Sequence, residues 1–88
     1  MDFNNKNTIA EQLLDVIDQG KFPGARVNLR EYIEANELGL FLEEMCTFVN
    51  EEDIPISIEW LNSMQSLCKN LRIREIYWND LEKLIPKP

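Results

Sequence analysis

The feature that most constrains this chain is a single apolar stripe set inside an acidic segment. Leu38, Phe41, Leu42, Met45, Phe48 and Val49 recur at i, i+3, i+4, i+7, i+10 and i+11, the spacing that puts side chains on one face of an α-helix. A chain of 88 residues can bury about 60–65% of its unfolded surface, enough for a single core. The spacing therefore predicts a principal helix from about Glu37 to Asn50, with this stripe turned inward. Gly39, near its start, costs about 1 kcal/mol relative to Ala, which predicts a close packing contact there. Glu43, Glu44, Thr47 and Glu51 fall on the opposite side, and Leu40 projects into the middle of them.

The remaining segments read as shorter helices around this one. Residues 1–7 are polar and expected to fray. Thr8 followed by Glu11 has the form of a capping box, opening a first helix with Ile9, Leu13, Val16 and Ile17 as its apolar face, Ala10 and Leu14 at its edge, and Gln19-Gly20 as its stop. Lys21-Phe22-Pro23-Gly24 reads as a turn. Asn28 and Glu31 form a second capping-box pattern before a short helix with Leu29, Tyr32 and Ile33 inward, closed by Ala35-Asn36. After the principal helix, Pro55 breaks the chain and Ser57 is placed to cap a fourth helix with Glu59 in its first turn. Its expected stripe is Ile58, Leu61, Met64, Cys68 and Leu71, with Trp60 and Leu67 beside it. The tail, with Ile76, Tyr77, Trp78, Leu81, Leu84 and Ile85, predicts one last helix or two half-helices, Asn79 capping the second, and a frayed end over 86–88. Sustained two-residue alternation is absent, so the fold expected is all-α: one domain over residues 1–88, a bundle of four to five helices.

Charge separates the segments more sharply than hydrophobicity does. Residues 31–59 hold nine acids and no Lys or Arg, against four acids and four bases in 1–30 and three acids and five bases in 60–88. More than the whole formal charge of −7 thus lies in about a third of the chain. Nucleic-acid binders gain affinity by neutralising phosphates with Lys and Arg, so direct nucleic-acid binding is not expected. Anionic membrane surfaces are disfavoured for the same reason, and a basic protein is the natural counterpart. With no apolar run long enough to span a bilayer and no leader pattern at Met1–Gln12, the compartment expected is the cytoplasm.

Residues suited to catalysis or metal binding are scarce. The chain has no histidine and only two cysteines, Cys46 and Cys68, both within apolar helical faces. This excludes Ser-His and Cys-His nucleophile pairs and makes the thiols core residues of a reducing compartment rather than zinc ligands. There is no P-loop, GxGxxG or GxSxG. Glu43/Glu44 and Glu51/Glu52 are adjacent in sequence and diverge by about 100° on a helix, so they do not make an acid/base dyad. EEDIPIS lacks the alternating oxygen ligands and central Gly of a calcium loop. No enzymatic activity, cofactor or metal is expected.

A binding function is the better fit. The carboxylates of the principal helix can be read as its solvated face, or as the charged rim of a protein-binding patch whose dry centre is Leu40. The triplet Glu51-Glu52-Asp53 favours the second reading, because negative charge at a helix C-terminus is unfavourable by about 0.3–1 kcal/mol. The expected contact residues are therefore Leu40 as apolar anchor with Glu43, Glu44, Glu51, Glu52 and Asp53 around it. Tyr32 is a weaker candidate because of its inward placement.

The segment ELGLFLEEMCTFVNEEDIPIS, a glycine-led apolar helix running through Met-Cys into an acidic turn, resembles the central region of small Maf-type bacterial immunity proteins. The likeness spans about residues 29–71. It implies a cytoplasmic protein that binds and neutralises the C-terminal toxin domain of a polymorphic or contact-dependent growth inhibition system, often an EndoU-like RNase. Two other classes fit the composition. One is an acidic helical adaptor or regulator of another basic protein. The other is a carrier protein with Ser57 as attachment site, although the Ile-Ser-Ile context differs from the Asp-Ser-Leu of carriers.

Overall fold

The computed structural model describes residues 3–87 and is all-helical: α1 (Phe3–Leu14), α2 (Pro23–Glu34), α3 (Leu38–Glu51), α4 (Ile58–Asn70), α5 (Glu75–Trp78) and a closing 3-10 turn at Leu81–Leu84. Helix α3 packs against every other element. Its stripe is buried as the spacing requires: Phe41, Leu42, Met45 and Val49 are fully enclosed and Leu38 nearly so. Cys46 extends the stripe on one side, while Phe48 stays half-buried and meets Phe22 edge-on, with centroids 5.1 Å apart. The radius of gyration, 12.1 Å, equals the roughly 12 Å of a close-packed single domain this long.

The N-terminal half departs from the sequence expectations at both helix starts. Helix α1 begins at Phe3, so residues 3–7 are helical rather than frayed, and Thr8 lies inside the helix instead of capping it. Once the apolar turn around Leu13 is fixed by packing, extending the helix backwards avoids the cost of a new nucleus. The frayed ends expected at residues 1–2 and 88 lie outside the described residues. The inward face is Ala10, Leu13, Leu14 and Ile17, with Ile9 and Val16 at its edge. Helix α1 stops at Leu14, short of Gln19, and tightens into i→i+3 bonds (Asp15 to Gln12, Val16 to Leu13, Ile17 to Leu14) that still deliver Ile17 to the core.

Helix α2 starts five residues before Asn28, because Pro23 is its first residue rather than the middle of a turn. Proline has its φ preset for a first helical turn, where its missing N–H is no loss. Arg26 anchors this start to the end of α1. Its guanidinium donates to the Ile17 carbonyl and to Asp15 Oδ1, each at 2.9 Å.

Helices α2, α3 and α4 end in the same way. In each, the residue after the C-cap is left-handed (Asn36, φ 65°; Asp53, φ 50°; Arg72, φ 58°). The following N–H returns to the carbonyl five residues back: Glu37 to Tyr32, Ile54 to Val49, Ile73 to Cys68. These are Schellman closures, which satisfy carbonyls that the helix leaves unpaired. After α3 the closure aims Ile54 inward, and Ile54 and Ile56 are buried while Pro55 and Ser57 are exposed. Ile56 N–H bonds Leu84 O at 3.2 Å, tying this extended link to the closing turn.

Ser57 caps α4 as expected, accepting the Trp60 N–H at 3.0 Å. The cap fixes the phase of the helix, and Ile58 is turned outward, 59% exposed, so it does not belong to the stripe. Trp60, Leu61, Met64, Leu67 and Cys68 take that role. Trp60 Nε1 donates to Leu13 O at 2.9 Å, satisfying one of the last carbonyls of α1 in a buried place. The tail forms two short pieces, but Asn79 closes the first rather than capping the second. The second is preceded by Asp80 without a side-chain cap. Trp78, Leu81 and Leu84 are its buried contribution.

Phe41→Asp or Met45→Asp places an unpaired charge where no water reaches, and either variant is expected to lose its cooperative thermal transition in circular dichroism. Gly39 does not mark a close approach: a Cβ added there would meet only Ile73 Cδ1, at 3.8 Å, an ordinary contact. Gly39→Ala is therefore expected to stabilise the fold by about 0.5–1 kcal/mol through helix propensity, measurable by urea denaturation.

Candidate protein-binding face

Packing of α3 on all sides but one leaves a single outward strip. Leu40 is 45% exposed on it, Glu43 is half-buried, and Glu44, Thr47 and Glu51 are exposed. Thr47 Oγ1 donates to Glu43 O at 2.9 Å, so its hydroxyl is occupied by the helix itself. Leu40 and Glu51 lie about 16 Å apart along the axis. Glu52 is the C-cap and Asp53 the left-handed residue after it, both exposed. The structure thus brings Leu40, Glu43, Glu44 and Glu51 onto one helix face and places Glu52 and Asp53 at its far end. A standard interface covers about 800 Å² on each partner, enough to span both ends of the strip.

The electrostatic state of this face is its most distinctive property. Among the described residues the ion pairs are Arg26–Asp15, Arg30–Glu11 and Lys83–Asp80. None uses Glu31, Glu34, Glu37, Glu43, Glu44, Glu51, Glu52, Asp53 or Glu59. Six bases (Lys6, Lys21, Lys69, Arg72, Arg74 and Lys87) lie outside those pairs, so this chain has cations to spare but does not bring them within ion-pair distance of the acidic segment. Helix α4 follows the usual dipole rule, with Glu59 in its first turn and Lys69 in its last, whereas α3 has no base in its last turn and ends on Glu51. Asp53 has a local reason for its place, since Asp and Asn tolerate the left-handed region better than most residues. Glu51 and Glu52 have none.

Beside this strip the structure opens a groove that the helical spacing did not point to. Ala25, Asn28, Leu29 and Tyr32 of α2 face Glu44 and Phe48 of α3 across a volume of about 220 Å³. Tyr32 is half-buried at its edge rather than in the core. Its position one residue from Ile33 on α2, with Phe48 at the margin of the α3 stripe, is the only trace of this groove in the sequence.

Other candidate chemistry is absent or structural. Among the described residues no group of three or more His, Cys, Asp or Glu side chains is arranged to hold a metal ion, and no helix is long and apolar enough to cross a membrane. Cys46 and Cys68 are buried and free. The neighbouring Cys68 thiol, reinforced by burial, pushes the Cys46 thiol far above its ordinary value, and Cys68 Sγ donates to Met64 Sδ at 3.6 Å. A thiol so held stays protonated at neutral pH and is a poor nucleophile. The Ser57 hydroxyl is engaged as the α4 cap.

No protein-family profile, curated protein or solved structure is significantly similar to the chain.

Replacing Glu51, Glu52 and Asp53 together by Gln, Gln and Asn keeps their shapes and removes three like charges from a helix end. Asn also suits the left-handed position at least as well as Asp. The triple variant is expected to melt at the parental temperature or a few degrees above it. A clearly lower melting temperature in a scanning calorimeter would mean that the carboxylates support the fold.

Proposed function

We propose that this chain is an immunity-type inhibitor that lays the outer face of α3 against the basic substrate-binding region of a toxin domain, a nuclease of the EndoU-like class, and so excludes its substrate. The observation that carries this reading is the unpaired acidic segment: among the described residues none of its nine carboxylates has an ion-pair partner, and five of them, Glu43, Glu44, Glu51, Glu52 and Asp53, lie along or at the end of the α3 strip that exposes Leu40. Evenly solvated charge would explain their number but not their segregation from six bases that form no ion pair among the described residues, nor the two glutamates at the disfavoured end of α3. The likeness of residues 29–71 to Maf-type immunity proteins supports the same partner class. Leu40 supplies the apolar anchor, Glu43 and Glu44 its rim, and Glu51, Glu52 and Asp53 the far contact. A cytoplasmic site of action follows from this role.

A charge-led association has a kinetic signature. The screening length falls from about 30 Å at 0.01 M salt to about 8 Å at 0.15 M, so association with a toxin domain of this class, sought first in a neighbouring gene, should slow by about tenfold or more across that range while dissociation changes little. The Glu51→Gln, Glu52→Gln, Asp53→Asn variant should bind more weakly, by several kcal/mol if the charge pairs are desolvated and by less than about 1 kcal/mol if they lie at the rim, and should protect toxin-expressing cells poorly. Salt-insensitive association, or a triple variant that binds and protects like the parent, would contradict the reading. An adaptor for a different basic protein would instead leave the neighbouring gene product unbound.

A further inference from the structure

The geometry points to the α2–α3 groove as a socket for one arginine side chain of the partner, an inference that rests on reading the adjoining α3 face as a binding surface. The groove of about 220 Å³ is below the 300–1,000 Å³ typical of small-molecule sites, but it can take a single long side chain. Its lining is mixed in a way that selects the kind. Tyr32 and Phe48 present half-buried aromatic rings, Glu44 adds a carboxylate, and Asn28 an amide. Among the described residues, none of Asn28, Tyr32 and Glu44 has a side-chain hydrogen bond or ion pair within the chain. A guanidinium is planar and weakly hydrated, stacks on aromatic faces, and donates in a fork to a carboxylate. The ammonium of lysine is a compact, strongly hydrated charge that would give up more on leaving water. The neighbouring ring already attracts a cation: Lys21 Nζ lies 5.5 Å from the centroid of Phe22, whose ring meets Phe48 edge-on. In this arrangement Glu44 serves both surfaces, so the socket continues the acidic strip.

The socket can be tested without the toxin, by titrating isotope-labelled full-length protein with acetyl-Gly-Arg-Gly-amide and following amide chemical shifts. The expected result is a saturable shift centred on Asn28, Tyr32, Glu44 and Phe48. The lysine peptide should bind at least about fivefold more weakly, and the citrulline peptide, which keeps the shape without the charge, should leave these signals unmoved. Glu44→Gln, an exposed substitution that leaves the core intact, and Tyr32→Leu should each weaken the arginine peptide by about fivefold or more. Absence of a saturable shift, an equal response to citrulline, or unchanged binding by Glu44→Gln would overturn the proposal. Its failure is separable from that of the functional reading: a toxin complex that forms with salt-dependent kinetics while the peptide does not bind removes only the socket. A peptide that binds while no toxin complex forms leaves the socket and removes the toxin.

Discussion

Burial of the α3 stripe is the interaction on which everything else in this structure depends. Phe41, Leu42, Met45, Cys46 and Val49 lie at the meeting point of α1, α2, α4, α5 and the closing turn, and each large side chain removed from water there contributes about 1.5–3 kcal/mol. The short pieces could not hold their conformations alone. A four-residue helix such as Glu75–Trp78 is far below the length at which an isolated helix persists in water, and it forms because Trp78 is buried in the shared core.

A helix packed on most of its circumference can offer a partner only what is left. In α3 the remainder is the strip from Leu40 to Glu51, so the face that sequence marks as acidic is also the one that packing leaves open. The end of the helix reinforces this. The Schellman closure at Asp53 turns Ile54 back into the core, which holds the acidic turn on a fixed backbone rather than a loose loop. Preorganised charge loses less entropy on binding than charge on a mobile segment, and its position at a helix end carries an electrostatic cost that local folding does not require.

Elements whose signal was a long apolar period were legible in the sequence, and those decided by a single boundary residue were less so. The α3 stripe and its exposed Leu40 follow from spacing and the Ser57 cap from a serine placed after the Pro55 break, whereas spacing leaves open whether the tail is one helix or the two short pieces observed. Pro23 and Thr8 differ from expectation because a Pro-Gly pair and a capping-box pattern each have a second use: proline opens helices as well as turns, and a Thr-x-x-Glu sequence can sit mid-helix. The i, i+3 spacing from Ile58 to Leu61 suggests an inward residue, but the buried arc of α4 runs from Leu61 and Cys68 round to Trp60 and Leu67 and leaves Ile58 outside it. Gly39 faces Ile73 at ordinary distance, a fact that depends on a residue 34 positions away. Of the candidate face, the placement of the α3 residues on one side of the helix is readable from spacing, whereas the groove with Tyr32 is not, since it exists only once α2 and α3 are set side by side.

Helix α3 has one face buried by the fold and one left open, and the proposed function requires a partner to cover the open one. Amide hydrogen exchange of the chain, alone and with a basic toxin domain of the proposed class, tests this most directly. The partner is expected to slow exchange across residues 38–53 and the adjoining part of α2, with α1 and the outer side of α4 unchanged. Protection confined to α1, α4 or the tail, with the amides of residues 38–53 unaffected, would contradict it.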